Sequence, residues 1–155
     1  MLGRSLRTAA VALTLTMALS GCSPAKREVR LEKTTLPPVF TLSGGSEAYS
    51  FTVWGPYPDV AAMRTRSERH HVWDLQTTKP KGRRPRPDEV PPIRYGTLPP
   101  DFSERTGPAP ALVTGKYYEA SAITSDQSPL AWGNDKGTRS VCFRVEATAV
   151  VEVPC

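Results

Sequence analysis

Beyond residue 38 the apolar positions tend to recur every second residue, and the runs are short. Val39-Phe40-Thr41-Leu42 is β-branched and aromatic and predicts a strand, closed by the turn-forming Ser43-Gly44-Gly45-Ser46. Tyr49 to Trp54 alternates, with Tyr49, Phe51 and Val53 on one face and Ser50, Thr52 and Trp54 on the other. Gly55-Pro56-Tyr57-Pro58 ends it, because proline removes a ladder donor and fixes φ. Val60 to His71 reads as irregular or extended, although Asp59 also stands where a short helix would take its N-cap. Val72 to Gln76 reads as a strand with Trp73 and Leu75 inward. Thr78 to Pro92 has no period and reads as a long exposed loop that contributes little to any core. Ile93-Arg94-Tyr95 restarts a strand, ended by Gly96 to Pro100, and Asp101 to Pro110 is again loop. Tyr117 to Thr124 alternates with Tyr118, Ala120, Ala122 and Thr124 on one face. Gln127 to Gly137 reads as a long turn, and Ser140 to Val153 supplies the last strand or pair of strands. No stretch keeps a 3.6-residue period over three turns, and no internal repeat occurs. Several short strands with frequent turn signals predict an all-β sandwich.

The N-terminus follows another pattern. Arg4 and Arg7 precede an apolar run from Thr8 to Ala18, and the run closes on Leu19-Ser20-Gly21-Cys22. Positive residues, a short hydrophobic segment and then small residues form a secretory signal peptide. The run is too short to span a hydrocarbon core, which needs roughly 20 apolar residues. Its ending resembles the lipobox of bacterial lipoproteins, which implies that the Cys22 thiol is acylated and becomes the new N-terminus. An ordinary signal peptide with a chance cysteine is the plainer alternative. Ser23 to Pro38 alternates charge with little apolar content and reads as a mobile tether. Ser23 is not aspartate, which by resemblance to lipoprotein sorting favours an outer membrane, facing the periplasm. In a cell with one membrane the anchor would lie in the outer leaflet of the plasma membrane.

Composition narrows the picture further. Removing the first 21 of 155 residues leaves 134, enough for one domain with its own core. Nine of the sixteen prolines fall between Pro80 and Pro110, so the core must come from the flanks of that segment. Residues 64 to 86 carry eight basic and two acidic residues, a basic segment on an otherwise acidic body. Within it Lys79, Lys81, Arg83, Arg84 and Arg86 form an extended, self-repelling run. It reads as a contact for anionic lipid, lipopolysaccharide or an acidic envelope protein, with a solvated loop as the plainer alternative; nucleic acid is not expected. Cys142 and Cys155 remain once Cys22 is lipidated, an even number in an oxidising compartment, which favours a disulfide. Bonding them within the chain requires a reversal near Ala147–Ala149, where no Gly, Asn or Asp supplies a hairpin signal. An intermolecular bond or free thiols stay open.

Leu112, Thr114-Gly115 and Tyr118 leading into an alternating strand resemble the corner before strand F of fibronectin type III and related immunoglobulin-like domains. The resemblance implies that the tyrosine hydroxyl bonds nearby backbone, and that Trp73 lies on strand C with Ile93 to Gly96 on the strand after it. The basic insert and the cysteine-ended last strand depart from that family. The whole pattern resembles small bacterial lipoproteins of unknown function, which implies a fold and no activity.

Chemistry is sparse. His70 and His71 are adjacent, so in an extended segment they point to opposite faces and cannot easily share a metal. No G-x-S-x-G elbow, phosphate-binding glycine loop or recognisable carboxylate pair is present. The expected protein is a signal peptide (1–21), a lipid-anchored tether (22–38) and an immunoglobulin- or fibronectin III-like sandwich (39–155) with an exposed basic loop (78–92). Its expected role is a non-catalytic interaction or assembly module of the cell envelope, without a cofactor. The alternative is an envelope enzyme or metal-binding protein using His70 or His71.

Overall fold

The computed structural model describes residues 28–66, 69–125, 136–137 and 139–155. The smaller of two sheets contains β1 (Glu28–Lys33), β2 (Val39–Ser43) and β5 (Ile93–Arg94), in the order β1-β2-β5. The larger contains β3 (Glu47–Tyr57), β4 (His71–Thr77), β6 (Phe102–Glu104), β7 (Tyr117–Ser125), β9 (Val141–Val145) and β10 (Val150–Val153). Their order is β10-β9-β7-β3-β4-β6, and β8 (Lys136–Gly137) pairs with the end of β7. All of these strand pairs are antiparallel. The chain is an all-β sandwich.

One core lies between the sheets. Phe40 of β2 places its ring 5.3 Å from that of Phe51 in β3 and 5.6 Å from that of Phe143 in β9. Phe51, Val53, Trp73 and Leu75 share the inner face of β3 and β4, where Phe51 opposes Leu75 and Val53 opposes Trp73. On β7 the inward set is Tyr118, Ala120, Ala122 and Thr124, all buried, as their alternation predicts. Full burial of each large apolar side chain is worth roughly 1.5–3 kcal/mol, so this aromatic layer dominates stability. Tyr118 also fixes the chain before its own strand, since the Val113 N–H donates to its hydroxyl at 2.9 Å.

Three expectations need correction. The tether ends earlier than Pro38, because Glu28–Lys33 is strand β1, with Val29 buried and its charged neighbours on the opposite parity. Residues 60–65 form helix α1 (Val60–Thr65) rather than extended chain; Asp59 caps it by accepting the Ala62 N–H at 2.8 Å. The segment 101–110 contains β6, whose Phe102 enters the core. Ile93-Arg94 is the strand that follows the Trp73 strand along the chain, and it pairs with β2 in the other sheet.

At the C-terminus β9 and β10 form a hairpin. Val145 faces Val150, and the Glu146 N–H donates to the Ala149 carbonyl at 2.8 Å. The reversal occurs at 146–149 without a turn-favouring residue.

Candidate functional site

The face of the larger sheet turned away from the core carries the buried charges. The register sets them in rows: Cys142, Glu119, Trp54 and His71 lie side by side, and beside them run Ser121, Thr52 and Asp74. α1 covers one flank of this face, packing Met63 against Tyr57 and Cys142.

Asp74 is 4% exposed. The Thr52 hydroxyl donates to its Oδ1 at 2.8 Å, and Arg105 Nη1 lies 3.6 Å from its Oδ2. His71 Nδ1 approaches the same oxygen at 3.6 Å, while the His71 ring stands edge-on to Trp54 with centroids 4.0 Å apart. The Arg69 guanidinium lies over the other ring system of this stack, 3.7 Å from the Trp54 centroid. His70 is exposed. Among the described residues no group of three or more His, Cys, Asp or Glu side chains converges to hold a metal ion.

Glu119 is 2% exposed. Arg66 Nη2 bonds its Oε1 at 2.9 Å, the Ser140 hydroxyl donates to the same oxygen at 2.7 Å, and Arg69 Nη2 lies 3.6 Å from Oε2. Arg66 reaches it because it closes α1 in the left-handed region, at φ 53°, which turns the chain back over the sheet. Tyr57 is buried beside this group. Desolvation first, then the Glu119 carboxylate, pushes its phenol above the ordinary value, against the opposing pull of Arg69 and Arg66.

Glu119 and Arg66 form part of the wall of a cleft of about 940 Å³, open between the start of β1, α1 and the ends of the β9–β10 hairpin. Cys142 and Cys155 also line it, joined as a disulfide with Cα atoms 5.3 Å apart. The fold-back at 146–149 brings them together by setting Val153 opposite Cys142.

The five cations of the basic run separate. Lys79 pairs with Asp101 at 3.0 Å, and Arg86 with Asp88 at 3.3 Å. Arg84 lies over the Tyr49 ring, 4.4 Å from its centroid, with Nε and Nη1 buried. Lys81 and Arg83 are exposed and make no ion pair with a described residue. The expectation that this loop lies outside the core is therefore corrected. Its Pro85 carbonyl accepts the Ala48 N–H at 2.8 Å, its Gly82 N–H donates to Glu47 at 2.6 Å, and Val90 joins the core. The physical reason is that β3 extends past the end of β4, leaving Ala48 a free edge that the loop fills.

Cys22 lies outside the described residues. The carboxylate–guanidinium groups around Asp74 and Glu119 are the residues sequence reasoning missed; the one signal is a charge at the polar parity of each strand. No protein-family model, curated protein or solved structure matches the chain.

Proposed function

We propose that this is a lipid-anchored cell-envelope protein whose sandwich serves as a non-catalytic interaction or assembly module. Acylation of Cys22 holds it in the outer membrane facing the periplasm, or in the outer leaflet of a single plasma membrane. The anchor is supported by the Arg4/Arg7, apolar and Leu19-Ser20-Gly21-Cys22 pattern. The observation that carries the module reading is how charge is distributed. Asp74 and Glu119 are occupied by Thr52, Arg105, Arg66 and Ser140 within the fold, whereas Lys81 and Arg83 face solvent. Unpaired exposed cations suit an anionic partner: lipid, lipopolysaccharide or an envelope protein. The Tyr118–Val113 contact supports an immunoglobulin-like corner.

Two measurements test this. Cells fed a labelled fatty acid should transfer it to the parent protein and not to Cys22→Ala, which should leave the membrane fraction or stay unprocessed. Crosslinking in cells, followed by pull-down, should retain an envelope component. A Cys22→Ala protein that carries label and sediments with membranes would refute the anchor.

A further inference from the structure

The register determines which end of the sandwich the chain enters. Glu28 opens β1 and lies opposite Ser43, the last residue of β2. The turn 44–46 then leads into Glu47, whose carboxylate accepts the Gly82 N–H. Arg139 is bridged to Glu28 and its carbonyl accepts the Val29 N–H at 2.9 Å. Lys81, Arg83 and Arg139 are exposed and without an ion pair to a described residue, and all three belong to this one end. Cys22 stands six residues before Glu28, so even fully extended chain separates them by no more than about 20 Å. Lys116, which precedes β7, lies at the opposite end, since β7 runs from Tyr117 to Ser125 and Ser125 is the residue paired with Glu47.

We propose that the end of the sandwich bearing Lys81, Arg83 and Arg139 docks on the anionic headgroups of the same bilayer that holds the lipid on Cys22. This rests on the lipid-anchor reading and adds an orientation to it: basic end down, the Lys116 end away from the bilayer. The short connection keeps these cations close to the surface, and attraction there is worth about fivefold in occupancy per charge, hence about a hundredfold for three. The docked state is electrostatic, so it weakens as the screening length shortens.

The test uses the full lipidated protein in vesicles of phosphatidylcholine alone or with phosphatidylglycerol. Flotation is read first, and then the rate of amine labelling at Lys81 and Lys116 by peptide mass spectrometry. On anionic vesicles at about 20 mM salt Lys81 should label at least about fivefold more slowly than on neutral ones, and the difference should vanish at about 500 mM. Lys116 should label equally throughout. The Arg83→Ser/Arg139→Ser variant, checked for parental circular dichroism, should lose most of the Lys81 protection. Equal Lys81 labelling on both floated vesicle types at low salt would overturn the docking. Protection found only in whole envelopes and not in vesicles would overturn it too, and would assign this end to a protein. Protein that fails to float would instead mark failure of the lipid anchor.

Discussion

Gly55 lies against the ring of Tyr118, so close that a Cβ at residue 55 would sit 2.8 Å from Tyr118 Cδ1 and 2.9 Å from the Tyr117 carbonyl oxygen. Its φ of 135° is also a conformation that other residues rarely adopt. The two facts reinforce each other, because this is where β3 and β7 slip register between Trp54 and Tyr57.

Gly55→Ala should therefore cost about 2–4 kcal/mol, from overpacking and backbone strain together. Gly107→Ala provides the comparison: φ is 84° there, yet nothing lies within 4 Å of the new Cβ. That variant should lose only about 1–2 kcal/mol, the strain alone. Urea midpoints of the two variants measure the difference, and equal losses would show that the Tyr118 contact is unimportant.

The Cys142–Cys155 bond closes a separation of 13 residues. In the chain-entropy account such a loop stabilises by roughly 3 kcal/mol through restriction of the unfolded chain. Reduction, or the Cys142→Ala/Cys155→Ala pair, should lower stability by about that amount or somewhat less, because the β9–β10 ladder already holds the hairpin. Intact mass after alkylation without reduction gives an independent reading: neither thiol should be modified.

How far the fold was legible follows from which residues dominate each segment. Phe51, Trp73, Leu75 and Tyr118 are all fully buried or nearly so, and their spacing of two announced β3, β4 and β7. Val29 and Leu31 have the same spacing, yet four charges in six residues of β1 masked it. α1 is six residues long, too short for a helical period to appear, so only the Asp59 cap signalled it. The polar groups of the outer face were harder. Asp74 finds Thr52 across 22 residues of sequence and Glu119 finds Arg66 across 53, contacts that only strand order creates.

Alkaline pH should unfold the domain. Burial raises the pKa of Tyr95 and Tyr118, Tyr118 acting as a second contribution on Tyr95, and burial followed by Glu119 raises that of Tyr57. In the unfolded chain these phenols ionise near pH 10. Above that pH the folded state binds more protons than the unfolded one, so stability falls as pH rises. It is fully present below about pH 10 and is lost progressively toward the higher folded values. Thermal melts between about pH 9 and pH 12 should show a falling midpoint, with the tyrosinate absorbance of these three residues appearing only as the domain melts. A midpoint constant to pH 12 would contradict it.

The basic loop divides into a half that carries charge and a half that carries stability. Lys81 and Arg83 project to solvent, so Lys81→Ser/Arg83→Ser should change stability by less than about 0.5 kcal/mol. Replacing residues 82–87 by a glycine-serine linker of equal length is a different matter. It removes the Arg84 stack on Tyr49 and the buried Pro87, and it loosens the Pro85 carbonyl that accepts the Ala48 N–H. A hydrogen bond left unmade at a buried edge costs about 1–3 kcal/mol, and a cation–π contact whose guanidinium is partly buried is worth roughly 1–2 kcal/mol. The linker variant should thus lose about 2–4 kcal/mol, with a clear drop in melting temperature that the serine pair does not show. If both variants melt with the parent protein, the loop is a solvated appendage and its contacts with β3 carry no weight. If the serine pair melts as low as the linker variant, Lys81 or Arg83 supports the fold, and neither is a free charge.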